Sequence, residues 1–564
     1  MSTAAPTSSG SSFELFVPKL VTVLREGYSL SAFRSDVIAG LTVAVVALPL
    51  SMAIAIASGA TPAQGLFTSI VGGFIISAFG GSRFQIGGPA GAFIVVVSAT
   101  ISRHGYDGML LAALIAGLIL LVVGALRLGT YIKYVPHPVT VGFTSGIAVI
   151  IATSQLKELL GLTLAGSEPG PFLEKIPALW VALPTFNAQA AGLATLTIGL
   201  ILAVRRLRPT WPAFLIAVTA AVVVVEALGL GVETIGTRFG GIPRSLPAPA
   251  LPDLLLQKIV AVLPDAFTFA LLGGIESLLS AVVADSMTGR RHRSNCELAA
   301  QGLANVAASI FGGIMATGNI ARTATNIRAG ARSPVAGMLH SVFLLGFMAV
   351  AAPLASDIPL AALAGVLLVV AWNMAERAEF MTLIRASRAD ALVLLSTFGL
   401  TVFRDLTEAI VVGVVLGSLV FMHRMSEAIQ VQTHTPLVEE DKPDSANGRP
   451  GYDAEVATDP DIVVHRITGA FFFGASSTVA AVLDRINVSP KAFVLDLGAV
   501  PFIDSSGAHS LKGFIDKARR KGAVVYLAAA SPRIRSELKR HGVKPPLALY
   551  QPTVEASVAA ARRL

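Results

Sequence analysis

The chain has 564 residues, 54% of them hydrophobic and 14% charged, with a mean hydropathy of +0.71 and a formal net charge of +8. No soluble domain hides that much apolar surface in a core of ordinary size, so most of the chain belongs in lipid. The positive charge does not mark a nucleic-acid binder, because Arg and Lys collect in short clusters between apolar stretches, where they serve as orientation signals; the single cysteine, Cys296, excludes an internal disulfide.

In chain order, residues 1–34 form an N-terminal cytoplasmic segment. Its Ser/Ala/Thr-rich start has no basic n-region or apolar h-region and is not a cleavable signal peptide. Long apolar runs then begin near Val37, Ala63, Met109, Val139, Ala190, Ala213, Phe267, Leu298, Pro334, Pro359, Ala391 and Ala409. Two interrupted segments, Gly87–Phe93 and Ala316–Thr323, each predict a short helix, which makes about fourteen crossings with both ends on one side. Basic residues support this count. From a cytoplasmic N-terminus, the inside segments hold Lys19/Arg25/Arg34, Arg83, Arg127/Lys133, Arg205/Arg206/Arg208, Arg290/Arg291/Arg293, Arg328/Arg332, Arg385/Arg388 and Arg424. The two breaks and the two presumed first helices start about 230 residues apart, the spacing of a repeat of seven segments whose second copy is inverted. The transport domain is placed at 35–427. A polar stretch, Glu439–Gly451, reads as part of a linker spanning 428–460. Residues 461–564 read as a cytoplasmic α/β domain, with strand runs at Ile462–Val464, Ala492–Leu497 and Ala523–Leu527.

A helix start presents N–H groups without partners and about half a positive charge, which makes it an anion site. Short helices starting near Ala90 and Ile320 in an inverted repeat point their starts at each other. Ala90, Gly91 and Ala92 leave the backbone open to a ligand, and Phe93 walls the pocket. The extended stretches Arg83–Ile86 and Ile314–Thr317 are expected to pair as short strands, satisfying backbone that lipid cannot. Gly318 and Asn319 belong to the second break, and Arg322 falls in the first turn of the second half-helix, where an Arg at membrane depth needs an acid, water or a ligand. Glu276 lies inside an otherwise uncharged span with Ser280 one turn on. The pair reads as a proton carrier, a cation ligand or a polar helix contact. In the soluble domain Asp504-Ser505-Ser506-Gly507 follows a strand and opens a helix, where Ser506 is either part of a plain capped turn or a regulatory phosphosite. No Walker loop, HExxH, zinc-ligand run or Gly-x-Ser-x-Gly elbow occurs, so neither an enzyme nor a cofactor or metal is expected.

Ala39–Pro49, Gly87–Phe93, and the stretch from Asn295-Cys296-Glu297-Leu298 through Gly312-Gly313 to Ala321–Gly330 together resemble the SulP family of inorganic anion transporters. Asp496-Leu497 followed by Asp504–Gly507 is similar to a STAS domain. The resemblance implies an α-helical polytopic protein of seven plus seven inverted segments, divided into core and gate, which works as a homodimer by elevator-like alternating access. It further implies that the anion lies between the third and tenth helices, at Ala90–Phe93 and Asn319–Arg322, with Leu50, Ser51 and Ile54 of the first helix and Glu276 of the eighth lining it. The Glu276 position is an Asp in cyanobacterial Na⁺-bicarbonate relatives, with a Thr where this chain has Ser280; Glu looks more like the proton-coupled members. The expectation is a proton-coupled importer of a small oxyanion, sulfate first, in a bacterial inner membrane, in which protonation of Glu276 frees Arg322 for the anion. Alternatives are a bicarbonate transporter with Na⁺ coupling, a C4-dicarboxylate transporter, a nucleobase permease of similar fold, an anion channel, and a membrane sensor whose STAS domain binds a cytoplasmic protein.

Overall fold

The computed structural model describes residues 12–130, 135–166, 169, 172–209, 211–404, 406–427, 430–433, 461–472 and 490–564. Lys133 and the polar stretch Glu439–Gly451 lie outside the described residues. A helix stands at every expected apolar segment. These are Leu30–Ala57, Pro62–Phe79, Gly91–Ala125, His137–Leu160, Ala188–Leu207, Ala213–Leu228, Leu256–Thr288, Ser294–Ile310, Ile320–Arg328, Val335–Ser356, Leu360–Met374, Arg388–Phe403 and Leu406–Glu427. Gly91–Ala125 counts twice, because Gly105 (φ 71°, ψ 178°) breaks it into the segments expected near Ala90 and Met109. Among the described residues, nine helical stretches are long and apolar enough to cross a membrane. The chain is a multi-pass integral membrane protein with a separate C-terminal unit, dividing between Val414 and Val415.

In the first unit the helices pack in two groups. Leu30–Ala57 lies against Val335–Ser356, and Gly91–Ala125 lies against both Ser294–Ile310 and Leu256–Thr288. His137–Leu160 packs instead with Leu360–Met374 and Arg388–Phe403, and Ala188–Leu207 with Ala213–Leu228. The first group carries both broken segments.

Two fully buried carboxylates tie the ends of this first group together. Asp36, early in Leu30–Ala57, accepts from the backbone N–H of Arg332 (2.7 Å) and Ser333 (3.2 Å), from the Ser333 hydroxyl, and from Tyr28 Oη (2.6 Å). It thereby holds the turn that follows the second half-helix. Glu297 accepts from Gly81 N (2.8 Å), Ser82 N (3.0 Å) and Gln301 Nε2 (3.1 Å), and holds the turn that leads into the first break. A buried carboxylate that accepts from backbone N–H groups leaves those donors orphaned when it is removed. Asp36→Ala is therefore expected to cost on the order of 3 kcal/mol, read as a lower thermal midpoint of the detergent-purified protein. An unchanged midpoint would deny Asp36 this role. At the surface, the Arg83 guanidinium bonded to Glu26 holds that carboxyl below its ordinary value.

The C-terminal unit is a five-stranded sheet in the order β3 (Gln430–Thr433), β4 (Ile462–Thr468), β5 (Ala492–Asp496), β6 (Val524–Ala528), β7 (Leu549–Gln551). β3 pairs antiparallel with β4, and the remaining pairs are parallel. The three anticipated strands are present. β3, which falls within the stretch 428–460, and β7 are additional: both are too short and too polar to stand out by pattern. Every residue of β5 is buried, as a strand covered on both faces requires. The helices Ser505–Arg520 and Pro532–Arg540 cover one face through Leu511, Ile515, Ile534 and Leu538. Val554–Ala561 covers the other through Val558 and Ala561. Asp504 caps Ser505–Arg520 by accepting from Gly507 N at 2.8 Å, while Ser506 is exposed in its first turn.

Candidate anion site

The two breaks meet. β1 (Gly87–Gly88) pairs antiparallel with β2 (Thr317–Gly318), Gly87 opposite Gly318 and Gly88 opposite Thr317. Asn319 N donates to Ile86 O (2.9 Å) and Ile86 N to Thr323 Oγ1 (3.1 Å), which extends the crossing on each side. The pairing is therefore shifted toward the half-helices from the expected Arg83–Ile86 and Ile314–Thr317. The shift has a steric cause, since the crossing needs residues without side chains. A Cβ on Gly318 would lie 1.6 Å from Gln85 Nε2, and one on Gly88, whose φ is +154°, would lie 2.3 Å from Arg322 Nη1. Gln85 cannot yield easily: it is buried and donates to both the Oγ (3.0 Å) and the carbonyl (3.2 Å) of Ser277.

Each break opens a helix. After extended Ala90 (φ −116°, ψ 148°) the chain makes one tight turn, Gly91–Phe93, and continues as a helix from Ile94, with no side chain capping its start. At the second break Asn319 caps Ile320–Arg328 by accepting from Arg322 N at 3.2 Å. The first N–H groups of either helix have no acceptor within the helix, so two partial positive ends converge on the strand crossing.

Arg322 crosses from the second half-helix to the first. Its side chain is 1% exposed; Nη1 donates to Ser69 Oγ (3.2 Å), and Nη2 donates to Ser51 Oγ (3.1 Å) and to the carbonyl of Pro89 (3.3 Å), next to Ala90. Ser51 and Ser69 also share a 2.8 Å bond, and Ser51 donates to Ala47 O at 2.7 Å. Nε of Arg322 is buried without a partner among the described residues. The expected pairing with Glu276 is not formed, and among the described residues neither side chain has an ion-pair partner. The physical reason is reach: the guanidinium is drawn toward Pro89 by two hydroxyls on the first and second helices, so its charge stands at the meeting of the two helix starts without an acid to cancel it.

The remaining candidates fall around this point. Leu50, Ile54, Ala90, Ala92 and Phe93 share one buried cluster, in which Phe93 meets Phe269 edge to face at 6.1 Å. Ser280 Oγ donates to Thr323 Oγ1 (3.3 Å), and Thr317 Oγ1 donates to Gly273 O (3.2 Å), so residues three before and four after Glu276 touch the second break. Glu276 belongs to that same helix face. Four residues here have no sequence signal. Ser69 sits in a π-helical turn, Thr68–Gly72, a local widening of the helix that hydropathy does not mark. Ile151 and Met374, from the second helix group, close over Gly91, with the Met374 sulfur 3.2 Å from where a Cβ there would be. His340 is fully buried, with neither ring nitrogen bonded. Elsewhere the turn Arg290–Arg293 is held by His292, whose Nδ1 lies 2.7 Å from Asp285 and whose Nε2 lies 3.0 Å from Ser294 Oγ.

Comparison with known proteins places this architecture. Residues 33–397 match the sulfate permease family and residues 453–561 the STAS domain. The chain is similar to the putative sulfate transporter YvdB of Bacillus subtilis (strain 168), 40% identical over 523 residues, covering 92% of this chain and 95% of that protein. It is similar also to the bicarbonate transporter BicA of Synechocystis, 31% identical with 90% of each chain covered. Among solved structures, the murine Slc26a9 anion transporter in its inward-facing state shares the fold over 100% of this chain and 97% of its own, with a TM-score of 0.84 at 18% identity. The transmembrane domain of BicA aligns with a TM-score of 0.62 at 32% identity, over 68% of this chain and 98% of that one. An inward-crossed pair of half-helices, a fixed cation between them and a C-terminal STAS domain thus coincide with a family match over most of the length: the chain belongs to the sulfate permease family of anion transporters.

Proposed function

We propose that the chain is a secondary active transporter of a small inorganic oxyanion, sulfate first, driven by proton symport in a bacterial inner membrane with both termini cytoplasmic. The observation that carries this reading is the unneutralised Arg322 guanidinium held against Pro89, where the starts of both half-helices converge. Backbone N–H groups, two serine hydroxyls and a guanidinium are donors suited to oxygen atoms bearing negative charge. The first helix group, with both breaks, acts as the moving core against the second as gate, by an elevator motion within a homodimer. A second reading, bicarbonate, is favoured by the likeness to BicA.

Coupling is assigned to Glu276. With no partner for its carboxyl among the described residues and a place on the face that touches the second break, it takes up and releases a proton as the site changes exposure. Since Glu276 is not paired with Arg322, the two act through the shared local field rather than by exchange of a salt bridge. In proteoliposomes loaded to impose an inward proton gradient, labelled sulfate uptake is expected to rise with the gradient and to fall when unlabelled sulfate competes. Glu276→Gln is expected to retain sulfate binding and to lose most of that gradient dependence. Uptake in the variant that still follows the gradient would remove Glu276 from the coupling role; uptake driven by Na⁺ and competed by bicarbonate alone would favour the second reading.

A further inference from the structure

The last sixty residues, 505–564, hold twelve Lys and Arg against three Asp and Glu, a surplus of nine that exceeds the +8 of the whole chain. The topology gathers half of these bases at one end of the C-terminal sheet. β5, β6 and β7 are parallel, so each connecting helix runs back and finishes where the next strand begins. Arg519, Arg520 and Lys521 close the first helix, Lys539 and Lys544 flank the end of the second, Arg563 follows the third, and all six are exposed. Basic residues at helix C-termini complement the helix dipole, but that accounts for single charges at each helix and not for six bases gathered at one end. Of the acids nearby, Glu537 is engaged with Arg540 and His541, and Asp461 with Lys491 at 2.7 Å.

We infer that this strand-start end of the STAS sheet docks an acidic polypeptide, and that residues 434–460 of the same chain supply it. β3 runs toward this end and stops at Thr433, opposite His465, while β4 begins at Ile462 beside Ala492. The described residues that flank the segment, Thr433 and Asp461, therefore both stand at the basic end. It carries seven Asp and Glu against Lys442 and Arg449. Exposed ion pairs are individually weak. A segment anchored at both ends nevertheless meets the basic end at an effective concentration in the millimolar range, so several weak pairs suffice. The attraction is screened within roughly 10 Å at 0.1 M salt, so docking is salt-dependent.

The test uses the full-length protein in nanodiscs, with Asp444→Cys combined either with Arg520→Cys at the basic end or with Thr553→Cys at the opposite end of the sheet. At low salt the first pair is expected to form an intrachain disulfide at least tenfold faster than the second. That advantage is expected to vanish in 1 M salt and when Glu439, Glu440 and Asp441 are changed to their amides. Equal rates for the two pairs, or rates indifferent to salt, would overturn the inference. An interchain disulfide as the main product would assign the segment to a second copy. Slower cross-linking in phosphatidylglycerol than in phosphatidylcholine nanodiscs would give the basic end to anionic lipid. Both outcomes overturn docking within one chain.

Discussion

Arg322→Ala is expected to weaken sulfate binding by roughly 100-fold. A unit charge about 5 Å from an anion, in surroundings with an effective dielectric of about 20, contributes about 3 kcal/mol, and no acid among the described residues offsets it. Truncation takes a donor from the Pro89 carbonyl but leaves the hydroxyls satisfied, because Ser51 and Ser69 keep their mutual bond and Ser51 keeps Ala47 O. The loss should therefore appear as affinity and not as unfolding, and removing a lone charge from membrane depth relieves an insertion cost. Arg322→Lys keeps the charge but lacks the planar fork that reaches Ser51, Ser69 and Pro89 together, so a loss of roughly tenfold is expected. Equilibrium binding of labelled sulfate, beside thermal midpoints of each variant, checks both. A sulfate affinity unchanged in the Ala variant would show that the backbone alone makes the site.

Gly318→Val is expected to abolish uptake and anion binding together. Its Cβ would overlap the Gln85 amide at 1.6 Å, and Gln85 is fixed by two bonds to Ser277. Overpacking of a well-filled interior costs typically 1–3 kcal/mol, and here the strain falls on the strand pair that aims both helix starts. The cause is a single contact, so a second change tests it. Gln85→Ala opens the space, and the double variant is expected to regain a measurable share of the binding lost in Gly318→Val, a coupling that independent sites do not show. Absence of any recovery would mean that the crossing fails for another reason.

Much of this arrangement was legible in the chain. Lipid requires unbroken apolar runs, so the helices could be counted, and the two interruptions at Gly87–Phe93 and Ala316–Thr323 stood out against them. Arg322 and Glu276 were visible because a charge inside an apolar run is costly. Their expected pairing was not formed. Two charges in one membrane suggest attraction, yet side-chain reach and the hydroxyls of Ser51 and Ser69 direct the guanidinium elsewhere. Ser69 was invisible because a serine in an apolar helix usually bonds its own backbone, and only the π-helical turn turns it toward the crossing. Asp36 and Glu297 resembled ordinary acids at span ends. Their partners lie more than two hundred residues away, in turns that become neighbours only when the two halves interlock.

The amino-acid order alone determined the membrane class, the helix positions, the paired breaks and the attached α/β domain, because hydropathy, helix capping and turn chemistry act over a few residues. Tertiary structure decided which atoms surround Arg322, which helix group closes over Gly91, and which carboxylates hold the turns flanking the breaks. Those outcomes depend on contacts between residues remote in sequence, whose geometry is fixed only once both half-helices have crossed.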